Sequence, residues 1–419
     1  MKTVSFCSLG CRVNQYEIQA IRERFVNGGY TEVAFGKKCD FCIINTCAVT
    51  KESEKKSRNA ISRASRCSAG VIVTGCYGEL CRLTGNMPAN VMWCGGCSMR
   101  DRIFEICEGA SAEYRIKTSY ELLNIGTTGA LPNERYRAYV KIEDGCNGRC
   151  AYCVIPKLRG KSYNRSESDI LAECERLIQD GVSELIFTGI EVSDYGSAAL
   201  GRLIKKAAEI EGVKRIRLGS LNPNTVTKDF VRIIKETPAF CRHLHLSVQS
   251  ASDGVLKAMR RPYGKKKLYE VMDTLYSEIP EIMISADMIS GFPGETQSDF
   301  EESLSFVKEA RLMHVHAFPF SPRPFTEAAT MPNKVPEQVK KARNAAIIEQ
   351  SEQNKRDIAR SLLGKKVELL IEKNENSRAC GHTGGFMEAC AANSNKAAGE
   401  YVQCVVTGFD GALICEEIK

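Results

Sequence analysis

The chain has 419 residues, 43% hydrophobic and 26% charged, which is ordinary for a globular protein and long enough for two to four domains. No run of 18 apolar residues occurs and the first residues read as a strand, so a cytoplasmic chain with no membrane span and no signal peptide is expected. The net charge of +7 is split as 17 basic against 12 acidic residues in 1–132, 34 against 30 in 133–356 and 7 against 9 in 357–419, which permits a polyanionic partner without requiring one. Twenty cysteines are many for such a compartment. A chain of this length is not a small disulfide scaffold, so metal or cluster ligation accounts for some of them. The rest are expected to be small buried residues or adventitious thiols.

Residues 1–115 alternate between apolar strands, predicted over 4–9, 41–45 and 71–74, and helices, predicted over 17–27 and 52–66. That alternation predicts a parallel sheet, where ligands gather at the carboxyl ends of the strands. Cys11, Cys47 and Cys76 each follow a predicted strand. Three such thiols converging at neighbouring strand ends could hold a cluster. Three unrelated buried cysteines are the alternative, because seven more crowd the region: Cys7, Cys39, Cys42, Cys67, Cys81, Cys94 and Cys97. The run Cys94-Gly95-Gly96-Cys97 has the spacing of a redox pair.

Residues 116–132 read as a polar linker. A second series follows over 133–356, with strands predicted over 137–142, 184–188, 215–219, 243–248, 283–288 and 315–320. Helices are predicted over 166–179, 198–209, 228–236, 252–260 and 297–311. Six strand–helix units suggest an open, partial TIM-like barrel with its active residues at the strand carboxyl ends. The loop after the first strand carries Cys146, Cys150 and Cys153 at the spacing C-x3-C-x2-C, with Gly145 and Gly148 letting the backbone wrap closely. Structural zinc sites want four ligands, usually in paired units, and ferredoxin-type clusters also use four thiolates. Three thiolates on a 4Fe–4S cluster leave one iron open to a small ligand; a structural zinc loop is the plainer alternative. Gly189, Glu191, Ser220 and Gln249 follow successive strands and suit a zwitterionic ligand with an adenosine tail. Glu191 has a second reading, as the cap of the next helix or the partner of a surface lysine.

A long polar helix is predicted over 336–363, packing back on the barrel. Strands at 365–371, 400–407 and 412–416, with loops at 380–385 and 393–399, predict a small antiparallel β-barrel over 357–419.

These features together resemble the methylthiotransferase family of radical S-adenosylmethionine (SAM) enzymes over essentially the whole chain. The resemblance lies in Gly10-Cys11-Arg12-Val13-Asn14-Gln15-Tyr16-Glu17, Asn45-Thr46-Cys47-Ala48-Val49-Thr50, Val73-Thr74-Gly75-Cys76 and the loop from Cys146 to Ile155-Pro156 and Arg159-Gly160. It is supported by His243-Leu244-His245-Leu246-Ser247-Val248-Gln249-Ser250 and Ser321-Pro322-Arg323-Pro324. The run Cys11-Arg12-Val13-Asn14 is similar to the MtaB type; relatives acting on isopentenyladenosine usually have Gln and Met at the places of Arg12 and Val13. Ala251 stands where the family usually has Gly, and the terminal barrel, resembling the RNA-binding TRAM domain, is net acidic. The resemblance implies a 4Fe–4S cluster on Cys146, Cys150 and Cys153 that splits SAM, and a second on Cys11, Cys47 and Cys76. It implies methylthiolation of carbon 2 of N6-threonylcarbamoyladenosine next to the anticodon of tRNA. A separate electron donor and sulfur source are implied, and a monomer is expected. Action on isopentenyladenosine, on an aspartate of a ribosomal protein, or a non-enzymatic iron–sulfur role are the alternatives.

Overall fold

Strands that are apolar on both faces need a covered sheet on both sides. The strand β3 (Cys39–Thr46) ends in five consecutive buried residues and β4 (Ser68–Gly75) in six. The computed structural model describes residues 2–109, 130–131, 134–375 and 378–418. The linker expected over 116–132 therefore lies outside the described residues, apart from 130–131. The N-terminal sheet also contains β1 (Thr3–Ser8), β2 (Thr31–Glu32) and β5 (Trp93–Cys94), in the order β2-β1-β3-β4-β5 with every pair parallel. Its helices are α1 (Arg12–Asn27), α2 (Lys51–Ala64), α3 (Cys76–Thr84) and α4 (Ile103–Cys107). Helix α1 begins at Arg12 rather than at 17, because Cys11 adopts the extended N-cap conformation and Val13 and Asn14 are already buried. Helix α2 starts where a cap predicts it: the Thr50 hydroxyl accepts from the Ser53 amide, with Glu52 and Glu54 in the first turn.

The second unit runs from β6 (Ala130–Leu131), β7 (Glu134–Lys141), β8 (Glu143–Asp144), α5 (Ile155–Arg159) and β9 (Tyr163–Asn164) through α6 (Glu167–Gln179), β10 (Glu184–Thr188), α7 (Ser197–Ala208) and β11 (Arg215–Leu218). It continues with α8 (Lys228–Glu236), β12 (His243–Gln249), α9 (Asp253–Ala258), α10 (Lys265–Glu278), β13 (Met283–Ser290), α11 (Gln297–Glu309) and β14 (His314–Pro319). Strands β7, β10 and β11 pair in parallel, as do β12, β13 and β14. Single bridges at Ile216–Phe240 and Leu221–Leu246 join the two sets into an open six-stranded barrel. Helix α10 was not expected, although Leu268, Val271, Met272 and Leu275 bury at helical spacing. On β12, Leu244, Leu246 and Val248 pack beneath the helices, leaving the alternate residues to the lumen.

Helix α12 (Glu337–Leu362) folds back on this barrel, as expected. The Asn354 amide donates to the Val307 and Leu312 carbonyls at 2.7 and 3.1 Å, and the Ser351 hydroxyl accepts from the Val315 amide at 2.9 Å.

The C-terminal barrel closes in the order β15-β16-β17-β19-β18, from β15 (Lys366–Glu375), β16 (Arg378–Thr383), β17 (Glu388–Ala392), β18 (Tyr401–Asp410) and β19 (Ala412–Glu417). Two expectations are corrected. The pair β17–β19 is parallel, so the barrel is mixed rather than antiparallel. The stretch expected as a loop at 380–385 is largely strand β16, whose small residues nest against β15: a Cβ on Gly381 would stand 1.8 Å from the Leu370 carbonyl oxygen. Cys380 and Cys390 face each other in register across β16 and β17 and form a disulfide, so these two are neither buried thiols nor adventitious ones.

Two buried arginines of β11 fasten the small barrel to the large one. Arg215 donates to the Glu368 carbonyl at 2.8 Å, the Glu368 carboxylate at 2.9 Å and the His382 carbonyl at 3.0 Å. Arg217 donates to the Thr383 and Gly384 carbonyls at 2.8 and 3.0 Å. Arg215→Leu strands these acceptors, which costs about 2–4 kcal/mol. The expected result is faster limited proteolysis near Gly364, between α12 and β15; unchanged cleavage there would refute the anchoring role.

Candidate metal centre

The register of the first sheet sets the N-terminal thiols. Ser8 pairs with Asn45, and Asn45 with Thr74, so the residues just past β1, β3 and β4 emerge at one edge. Cys11 caps α1, Cys47 follows β3 and Cys76 opens α3. Gly10 takes φ +100° and presses on Cys47: a Cβ there would lie 2.7 Å from the Cys47 Cβ. The Asn14 amide ties the loops together, donating to the Leu9 and Thr46 carbonyls at 2.6 and 3.0 Å. Burial pushes the Cys47 thiol up. Cys76 goes the other way: a hydrogen bond from Cys97, helped by the Arg159 guanidinium, lowers its thiol to about 6. Cys94 instead pairs with Cys81, so the two ends of the C-x-x-C run have separate partners.

Arg159 belongs to a buried group of charges between the two units. Its Nη1 donates to the Glu17 and Asp144 carboxylates, both at 2.9 Å, its Nη2 to the Asn14 Oδ1 at 2.6 Å and its Nε to the Cys76 Sγ at 3.4 Å. Arg100 pairs with Glu17 and, at 2.9 Å, with Asp144; Lys141 reaches Asp144 at 3.1 Å and Glu17 at 3.4 Å. Burial would raise the Asp144 carboxyl, but Lys141, Arg159 and Arg100 hold it well below the usual range. Three cations face two carboxylates here, so the cluster of side chains favours a thiolate at Cys76.

The second thiol group lies on the loop after β8. Gly145 takes φ +87° against the Lys161 carbonyl, from which a Cβ would stand 2.2 Å. Cys146, Cys150 and Cys153 are all partly buried. The Gly148 amide donates to the Cys146 Sγ at 3.2 Å and the Arg261 Nη1 to the Cys150 Sγ at 3.2 Å. Arg261 is fixed in turn by the Ser247 carbonyl and the Tyr263 hydroxyl. Among the described residues no three His, Cys, Asp or Glu side chains converge on a single metal ion. N–H donors aimed at sulfur fit thiolate ligands of an iron–sulfur cluster.

The strand-end residues are distributed unevenly. The Ile190 and Glu191 amides, next to Gly189, both donate to the Glu143 Oε2 at 2.8 Å. The Glu191 Oε1 accepts from the Ser193 amide at 3.3 Å, so it caps the turn at 192–195, as its second reading expects. Ser220 donates to the Asp287 Oδ2 at 3.2 Å. Gln249 ends β12 at φ +65°, strained for a side chain of its kind, as residues at ligand sites often are. Glu143 and Arg261 were not singled out from the sequence; Arg159 and Glu17 stood in the motifs above without a role, and Arg100, Lys141 and Asp144 were given none. Arg261 follows the predicted helix at 252–260 in the run Arg260-Arg261-Pro262, a basic pair that was the available signal.

Residues 140–307 match the family described as the radical SAM superfamily, and residues 3–101 match uncharacterized protein family UPF0004. Across 92% of this chain and 90% of its own length, the threonylcarbamoyladenosine tRNA methylthiotransferase MtaB of Chlamydia pneumoniae is 35% identical. The chain belongs to the radical SAM tRNA methylthiotransferase family. The MtaB of Bacillus subtilis is 32% identical over 96% of this chain and 93% of its own. The tRNA-2-methylthio-N(6)-dimethylallyladenosine synthase 1 of Mycobacterium marinum is 33% identical over 90% and 76%. The family therefore spans two substrate names at similar identity. The radical SAM methyltransferase TsrM of Kitasatospora setae, solved with tryptophan and a SAM analogue, superposes with a TM-score of 0.58 at 13% identity over 78% of this chain and 75% of its own, a likeness of fold. The protein is thus an enzyme of the radical SAM class, whose cofactors are a 4Fe–4S cluster and SAM. No helix among the described residues is long and apolar enough to cross a membrane.

Arg159→Leu would leave Glu17 and Asp144 buried with less compensation, a cost of about 3–5 kcal/mol. The same change removes a donor to Cys76. Thermal melting should fall, and iron bound after anaerobic reconstitution should drop by about half, from the loss of one of two clusters. Wild-type iron content in this variant would refute the coupling between the charges and Cys76.

Proposed function

We propose that this protein methylthiolates carbon 2 of N6-threonylcarbamoyladenosine next to the anticodon of tRNA. The observation that carries the reading is two groups of three thiols with N–H donors aimed at their sulfurs, joined by one buried set of charges. Cys146, Cys150 and Cys153 hold the cluster that binds SAM. Cys11, Cys47 and Cys76 hold a second cluster at the sheet edge. Bound there, these groups supply one-electron chemistry and sulfur for a carbon that is not acidic and resists polar substitution. The chain's own residues do the rest: Arg261 and the Gly148 amide donate to the thiolates, and the Arg159 group stabilises the negative charge at Cys76.

In this reading residues 1–115 carry the sulfur-bearing cluster, 133–356 carry SAM and 357–419 grip the RNA. Gly189 and Glu191 lie near the SAM amino group, with Ser220 and Gln249 near its carboxylate or ribose. The deciding measurement is mass spectrometry of tRNA nucleosides with and without the gene, complemented by Cys76→Ala. The methylthiolated threonylcarbamoyladenosine should vanish in the deletion strain and stay absent with Cys76→Ala. If that nucleoside persists, or the methylthiolated isopentenyl nucleoside vanishes instead, the substrate assignment is wrong.

Glu191→Ala tests the SAM contact against the capping role. Loss of a charged hydrogen bond to ligand should weaken SAM binding about ten- to hundredfold with iron content unchanged. A cap alone leaves SAM affinity as it is and lowers only stability, by about 1 kcal/mol. Equilibrium dialysis of SAM against the reconstituted variant separates the two.

A further inference from the structure

The lumen of the large barrel is polar where its outer wall is apolar. His243 and His245 on β12, Ser285 and Asp287 on β13, and His314 and His316 on β14 alternate with residues buried beneath the helices. An empty lumen would be cheaper to line with apolar groups, since buried polar atoms cost free energy unless they are hydrogen-bonded. Part of the lining satisfies itself: His243 bonds Ser285 at 2.9 Å, and Asp287 accepts from His245 at 3.1 Å and from Ser220 at 3.2 Å. Two further carboxylates, one on β10 and one on β15, are taken as well. Glu184 is held by Arg137 and Arg217, and Glu372 by His382 and Arg137.

Among the described residues, one cation near this lining has no such partner. Arg12, the first residue of α1, places its guanidinium 6.0 Å from the ring centres of both Tyr139 of β7 and Phe386 of the small barrel. No ion pair or hydrogen bond engages its side chain among the described residues. The Phe386 ring stacks on His382 with ring centres 4.8 Å apart and lies tilted 5.2 Å from His243 of the lumen. Neither ring offers a hydrogen-bond acceptor to the guanidinium edge, the edge that binds a carboxylate in two parallel hydrogen bonds, and the Phe386 ring is shared with Arg217 at 4.9 Å. Burial, with His314 and His245, lowers His316 to about 4, so it is uncharged at neutral pH and offers hydrogen bonds rather than charge.

We propose that Arg12 sets the substrate specificity of the enzyme: its guanidinium takes the carboxylate of an amino-acid-type substituent on the target adenosine. The substituent lies in the lumen against Phe386, with His314 and His316 of β14 facing its hydroxyl and urea groups. This deepens the threonylcarbamoyladenosine reading and rests on it. Cys11 and Arg12 are consecutive, so a base held at the second cluster brings its N6 substituent to this cation. An apolar isopentenyl group in the same place would leave the guanidinium desolvated and unpaired, which disfavours it.

The test is a cycle between Arg12 and the carboxylate, using the full reconstituted protein. Anticodon stem-loop RNA carrying N6-threonylcarbamoyladenosine is compared with the same RNA whose threonyl carboxylate is a carboxamide, with binding read by fluorescence anisotropy. Wild type should prefer the carboxylate RNA about ten- to hundredfold. In Arg12→Ala the preference should shrink below about threefold. If that variant takes up less iron than wild type, Arg12→Gln replaces it, keeping a stem of similar size without the charge. A preference retained in the variant overturns the proposal. So does an equal loss on both RNAs, which would mean Arg12 meets a backbone phosphate. Failure of the reading itself is separate: wild type would then give no methylthiolated nucleoside from the carboxylate RNA, whatever Arg12 does.

Discussion

Five charged side chains hold the two thiol-bearing units in one geometry. Glu17 and Arg100 come from the first unit; Lys141, Asp144 and Arg159 come from the second, and none is more than 6% exposed. Removing that many charges from water costs several kcal/mol each, and only a fully bonded arrangement offsets it. A group of this kind tolerates little displacement, because each partner left behind becomes an uncompensated buried charge. Its position explains why it matters. Arg159 touches Cys76 directly and Asn14 through its other edge, and Asn14 ties the loops that carry Cys11 and Cys47. The relative placement of the two thiol groups therefore depends on charges that belong to neither.

The excess of one cation in that group also bears on what the sheet edge can hold. Lys141 is lowered to about 7 by burial and by the neighbouring arginines, so the interior is already crowded with positive charge. An anionic ligand set at Cys76 relieves it. A neutral thiol would not, and Cys76 alone among the three N-terminal cysteines is shifted toward the thiolate.

Much of this was legible in the sequence because it is local. The bounds of β10 and α8 agree residue for residue with the periodicity, since both are short, amphipathic or apolar, and bracketed by polar turns. The thiol positions were legible for the same reason: strand–helix alternation places the residue after each strand at the sheet edge. The charge group was not, because Arg159 and Glu17 are 142 positions apart and nothing local distinguishes a buried arginine from an exposed one. Strand β16 was missed because its alanine, cysteine, glycine and histidine have little strand preference; the closure of the barrel, not the segment, makes it a strand. Glu191 shows the limit of reasoning by position: the strand end is where it was expected, yet part of its carboxylate caps the turn that follows.

Helix α1 links these levels. Its N-cap, Cys11, is extended and its first residue, Arg12, is helical, so the two neighbouring side chains sit in different surroundings. One turns to the sheet edge with Cys47 and Cys76, and the other to the barrel lumen with Tyr139 and Phe386. One turn further on, Glu17 enters the buried charge group and Tyr16 bonds Glu173 of α6 at 3.3 Å. A single rigid element thus carries a thiol, a lumen cation and an anchor to the second unit. Any shift of α1 that loosened the anchor would move the thiol and the cation together, so the chemistry at the edge and the fit of the lumen cannot drift apart independently.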